Sequence, residues 1–183
     1  MDDKTVNIYI ETAHKGPAKR RTAGAWMVEY TLKTGQPVTR GGILYTDMAT
    51  ENEMALWLIR KAFSIFTKTC CIRVNTSCQH VLNTMQNHWL WQWQKNNWRN
   101  AKGKTVSNDE LWRECAMLIE HHMTEWTEGA HSYRQNMHYR ICKELEKEHE
   151  QGAYGSFQEI IVPGWNTEVR RYERDAGRDQ EKV

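Results

Sequence analysis

Ile72-Arg73-Val74-Asn75-Thr76-Ser77-Cys78-Gln79-His80-Val81 passes from a strand into a helix within one short stretch. The apolar run over residues 70–74 has strand length, and from about Ser77 the residues Val81, Leu82 and Met85 recur at helical spacing. On its N-terminal side, Met54, Ala55, Leu58, Ile59, Ala62, Phe63 and Phe66 predict a helix over 50–66 with one buried face. On its C-terminal side, Ser107-Asn108-Asp109-Glu110 resembles a capping box that opens a helix carrying Leu111, Trp112, Cys115, Leu118 and Ile119. A last strand over 123–127 and a last helix over 133–150 follow. Helix, strand, helix and strand in alternation predict parallel crossover units. The chain before residue 50 reads differently. Alternation over 5–11 (Val6, Ile8, Ile10), 23–32 and 38–45, broken by Lys15-Gly16-Pro17 and by the turn at 33–37, predicts an antiparallel meander. The expected fold is α/β, a five-stranded mixed sheet of three antiparallel and then parallel strands, flanked by helices.

Composition bounds the rest. A chain of 183 residues, 39% hydrophobic and 26% charged, suits one globular core. The expectation is one domain over 1–150 and an extension over 151–183, with one extra strand at 157–162 and then a disordered, charge-rich tail. No apolar run approaches the roughly 20 residues of a membrane span. Met1-Asp2-Asp3-Lys4 has no signal-peptide core, so the expected compartment is the cytoplasm. Five cysteines, with no C-x-x-C pair, predict reduced thiols rather than a disulfide framework or a zinc site. A net charge of +2 permits nucleic-acid binding only through a local patch. The nine tryptophans are the unusual feature, and five of them crowd one basic segment.

That segment runs from His88 to Trp112. Trp89, Trp91, Trp93 and Trp98 beside Lys95, Arg99, Lys102 and Lys104 combine stacking faces with cations for phosphates. Trp89 and Trp93, one turn apart, pack a helix pair onto the core or join that face. Trp91, Trp98 and the four cations are expected on a solvated face. The order of tryptophans and bases, closing on Asn108-Asp109-Glu110-Leu111-Trp112, resembles the basic handle of bacterial type 1 ribonuclease H, and the resemblance extends over about residues 5–148. It implies the same α/β fold, an RNA/DNA hybrid as ligand, Asn108 at a DNA-strand phosphate and Trp112 lining the DNA-strand channel. Asn108 equally reads as a polar residue at a helix start.

The same resemblance implies a two-metal site, in which four carboxylates hold two Mg²⁺ roughly 4 Å apart. Tyr9-Ile10-Glu11-Thr12-Ala13 matches the first ligand strand with Glu11 for Asp, and Glu53 in Ala49-Thr50-Glu51-Asn52-Glu53-Met54 matches the helix carboxylate. Ala49 and Thr50 stand where two asparagines would read the hybrid. Ser77 stands at the third ligand, where a hydroxyl carries no charge. Gly129-Ala130-His131-Ser132-Tyr133 matches the mobile-histidine loop, placing His131 as the residue that assists catalysis or product departure. The fourth ligand falls near Arg140 or Ile141, and Glu144, one turn on, reads as a surface helix residue or a substitute. Arg140 is a solvated helix residue, or a cation that pairs with Glu11 or Glu53 or binds a phosphate. His138 and His149 read as isolated.

Glu11 and Glu53 are thus the expected metal ligands, sufficient for one weakly bound Mg²⁺ or Mn²⁺ and no other cofactor. The leading expectation is a pseudo-nuclease of the ribonuclease H fold that binds hybrid or structured RNA. An active hybrid endoribonuclease with a rearranged site on Glu11, Glu53 and Glu144 or His131 is the alternative. A protein-interaction module, reaching a partner through exposed tryptophans or the tail, is the third.

Overall fold

The computed structural model describes residues 5–147 and 158–163. The meander is β1 (Val6–Thr12), β2 (Arg20–Thr31) and β3 (Pro37–Ala49), each antiparallel to its neighbour. α1 (Glu51–Ser64) crosses to β4 (Cys71–Thr76), which pairs parallel to β1. α2 (Gln79–Gln86), α3 (Trp89–Lys95) and α4 (Asp109–Ile119) then lead to β5 (Met123–Thr127), parallel to β4, and α5 (Arg134–Glu146) follows. The sheet order is β5-β4-β1-β2-β3-β6.

The sixth strand, β6 (Gln158–Pro163), is the extra strand expected at 157–162, added antiparallel to the β3 edge. It makes the sheet six-stranded rather than five-stranded, because the outer edge of β3 offers β6 its Arg40–Tyr45 stretch. The linker and charged tail fall outside the described residues.

Strand alternation sends two sets of side chains to opposite faces. Ile8, Ile10, Trp26, Val28 and Leu44 meet α1, α2 and α4 in the larger core. Ala23, Ala25, Met27, Ile43 and Tyr45 meet Tyr133, Met137 and Ile141 of the α5 segment. Small residues on β2 let α5 lie close to the sheet, which carries its polar side chains to the end of β1.

A reciprocal cap starts α1: the Thr50 hydroxyl accepts from Glu53 N at 3.2 Å, and the Glu53 carboxylate accepts from Thr50 N at 2.7 Å. The capping box expected at 107–110 does not form. Asn108 precedes α4 at φ 59°, a left-handed conformation, and its side chain makes no cap bond. Where β2 passes beneath α1, a Cβ on Gly24 would lie 2.6 Å from Leu58 Cδ1 and 2.9 Å from the Glu11 carbonyl oxygen. Gly24→Ala is expected to destabilise the protein by about 1–3 kcal/mol through overpacking, measured as a lower urea midpoint at unchanged slope.

Candidate functional site

β1 ends on Glu11, whose side chain turns to the α5 face and is 1% exposed. Both its oxygens accept hydrogen bonds. Oε1 is 2.8 Å from His131 Nε2 and 3.1 Å from Arg134 Nε, while Oε2 is 2.8 Å from His138 Nε2. Burial works against ionisation, but the His131 hydrogen bond and then the Arg134 charge outweigh it and hold the carboxyl below its ordinary value. His131 is sealed in the site: its side chain is 6% exposed and its ring stacks on Tyr9 at 4.4 Å. Its Nδ1 is buried without a partner among the described residues. Behind it, Glu29 accepts from the hydroxyls of Tyr9 and Tyr133. Burial first, then the charge and hydrogen bond of Glu29, push the Tyr9 hydroxyl up to about 12.

The pairing of Ile10 with Thr76 puts Ser77 at the same end of the sheet as Glu11. A lysine holds it there. Lys15 Nζ lies 2.5 Å from Ser77 Oγ, 3.3 Å from the Ser77 carbonyl oxygen and 3.1 Å from Glu51 Oε1. The other Glu51 oxygen accepts from Gly16 N at 2.8 Å, so the β1–β2 loop is clamped to the start of α1. Glu53, besides its cap, lies 3.5 Å from Lys19 Nζ.

The handle is a second unit. α3 carries Trp89, Trp91, Trp93 and Lys95, and a hairpin follows in which Arg99 bridges Thr105. Asn100 Oδ1 accepts from Lys102 N at 2.9 Å and Lys104 N at 3.1 Å, and Gly103 takes the turn at φ 73°. Lys95, Arg99, Lys102 and Lys104 are all exposed, with Arg99 Nη1 held on the Gly103 carbonyl at 2.8 Å. Trp89 is exposed at 37%, whereas Trp91 and Trp93 lie partly buried against the core.

The RNase H family profile matches residues 3–138. The chain belongs to the RNase H family. It is 35% identical over 100 residues to "Ribonuclease H" of Actinobacillus pleuropneumoniae, a match covering 54% of this chain and 63% of that one. It is 31% identical over 125 residues to "Ribonuclease HI" of Neisseria meningitidis, covering 68% and 81% respectively. Its fold matches the crystal structure of LC9-RNase H1, "a type 1 RNase H with the type 2 active-site motif", at a TM-score of 0.71 and 19% identity, over 97% of this chain and 86% of that one.

Against the family pattern, several sequence expectations change. Trp98 and Trp112 are 8% and 1% exposed, so neither offers a face to a nucleic acid. Trp98 lies under the Arg113 guanidinium at 4.9 Å, and Trp112 packs edge-on to Trp93 at 5.7 Å. The guanidinium on Glu11 belongs to Arg134, while half-buried Arg140 donates Nε to Asn136 Oδ1 at 3.1 Å. His138 is not isolated. Glu144 is buried, with Lys147 at 2.8 Å, rather than on the surface.

Lys15, Glu51, Arg134 and His138 were not singled out from sequence. A signal existed for two of them: Arg134 and His138 are spaced i, i+4 on one face of a helix, and His131 lies just before its start. Glu144 carried one too, since Met137, Ile141 and Glu144 form the buried stripe.

The family's divalent ions do not fit these donors. Hard dications need open oxygen ligands. Glu11 has both oxygens on nitrogen donors, Glu53 caps a helix and faces Lys19, and Ser77 holds an ammonium. Among the described residues no group of three or more His, Cys, Asp or Glu side chains is arranged to hold a metal ion. No described helix is long and apolar enough to cross a membrane.

Proposed function

We propose that this RNase H family member is a cytoplasmic protein that binds RNA/DNA hybrid or structured RNA, with hydrolytic capacity lost or severely reduced. The observation that carries the reading is Glu11, whose carboxylate is enclosed by His131, Arg134 and His138. Two-ion phosphodiester hydrolysis requires carboxylates that hold cations around an attacking water and a leaving oxygen. Here the corresponding positions are held by fixed nitrogen donors, which stabilise the carboxylate without activating water. The exposed bases of the handle support the binding half, because Lys95, Arg99, Lys102 and Lys104 stand clear for phosphates beside Trp89.

One observation favours a second reading, an active endoribonuclease with a rearranged site: relatives at 31–35% identity carry the name ribonuclease H. The two readings part on a cleavage assay. Labelled RNA/DNA hybrid, double-stranded RNA and single strands are incubated with Mg²⁺ or Mn²⁺ and the wild type, Glu11→Gln or Glu53→Gln. Glutamine at 53 still completes the Thr50 cap, so that variant removes the charge and keeps the helix start. The expected result is no turnover above background by any of the three. Cleavage that either substitution abolishes would establish the second reading. Absence of binding to every nucleic acid would leave exposed Trp89, or the tail, as a surface for a protein partner.

A further inference from the structure

We infer that the end of the sheet around Glu11 is a phosphodiester-binding surface that works through fixed side-chain cations and needs no divalent ion. The inference rests on the binding half of the function proposed above and adds a second contact region to the handle.

The charges at this end are layered. The acids lie beneath, with side chains 1% (Glu11), 9% (Glu51) and 22% (Glu53) exposed. Their cations lie above, at 35% for Arg134, 57% for Lys15 and 60% for Lys19. Each acid therefore anchors a cation from below, and solvent meets the positive partner. Arg20 adds another exposed cation at the start of β2, where its backbone pairs with Ala49 immediately before α1. Counted together, these cations exceed the acids by one before His138 is included.

The anchoring makes a surface rather than a loose charge run. Lys15 and Lys19 come from the β1–β2 loop, His14-Lys15-Gly16-Pro17-Ala18-Lys19, which leads directly into Arg20 of β2 and which Glu51 ties down through Gly16 N at 2.8 Å. Arg134 approaches Glu11 from the α5 side and uses only Nε there, and a guanidinium has four further N–H donors. Lys15 is a clamp, its ammonium engaged by Glu51 and Ser77, while Lys19, Arg20 and Arg134 provide the phosphate contacts. A cluster of open carboxylates would repel a polyanion until cations bound it. This arrangement carries its own cations, and a phosphodiester backbone is the polyanion that a set of exposed, anchored bases fits.

The test uses the full chain and a short fluorescent RNA/DNA hybrid, with affinity measured across a salt series in EDTA and in Mg²⁺. Three proteins are compared: wild type, Lys19→Gln/Arg20→Gln, and a handle variant with Lys95, Arg99, Lys102 and Lys104 all changed to Gln. Lys19 and Arg20 are exposed, so their variant keeps the fold. The expected wild-type binding persists in EDTA and is at least as tight there as in Mg²⁺, which competes for the phosphates. The double variant is expected to bind more weakly, with the slope of log K against log salt reduced by about 2. Binding that appears only with Mg²⁺ would overturn the inference, as would an unchanged slope in the double variant alongside a loss confined to the handle variant. Wild type that binds no hybrid under either condition would instead remove the underlying function, and the inference with it.

Discussion

Glu11→Ala is expected to destabilise the protein by about 3 kcal/mol, the lower part of the range for breaking a buried charge pair. The lower part applies because Arg134 and His138 are 35% and 42% exposed and regain water, whereas sealed His131 does not. The sign is what discriminates. In a site of open, metal-free carboxylates, removing one negative charge relieves repulsion and stabilises the fold. Here the carboxylate is surrounded by donors, and its removal strands them. The pH dependence follows the same logic. Because the folded protein holds the Glu11 carboxyl below its ordinary value of about 4.3, the unfolded chain binds the proton more readily near that pH. The stabilisation is complete above the unfolded value and is lost as pH falls through the folded one. Chemical denaturation at pH 7 and at pH 3.5 should therefore show a smaller pH loss in Glu11→Gln than in wild type. Equal losses, or a variant more stable than wild type at pH 7, would show that Glu11 belongs to an open acidic site.

Elements that follow from local periodicity were legible in the sequence. β5 occupies the predicted residues 123–127, and α1 begins one residue after its predicted start. What local pattern could not show was depth. Lys95 and Trp98 are close in sequence and equally suited to a nucleic-acid face, yet the chain turns left-handed at Asn97 and Trp98 and puts the indole under Arg113. The site was legible by position and not by partner. Glu11 could be placed at a strand end, but its donors lie 120 to 127 residues away, on α5 and in the loop that leads into it. Ser77 likewise could be seen to lack a charge, while the ammonium that occupies its hydroxyl comes from a loop 62 residues earlier. Hydrogen bonds of that span are set by tertiary packing, and no residue pattern within either segment specifies them.

Trp112 is where stability and binding can be separated most sharply. Trp112→Ala is expected to cost about 3–5 kcal/mol, a Tm lower by on the order of 10 °C, because a fully buried indole leaves a cavity between α4 and its neighbours. Its ring meets Trp93 at 5.7 Å and His80 at 6.2 Å, so the loss reaches the helix that carries the handle. Trp112→Phe is expected to be much milder. The smaller ring loses packing volume, but it also removes the indole Nε1, a buried donor with no partner among the described residues, and the two effects oppose each other. The Phe variant should then fold and bind hybrid with wild-type affinity, while charge removal at Lys102 and Lys104, which are exposed, weakens binding without moving Tm. A channel-lining tryptophan would give the reverse: Trp112→Phe would lose affinity at unchanged Tm, since stacking on a base responds to the size of the aromatic face and core stability would not be involved. Thermal denaturation and hybrid titration on the same four proteins distinguish the two patterns.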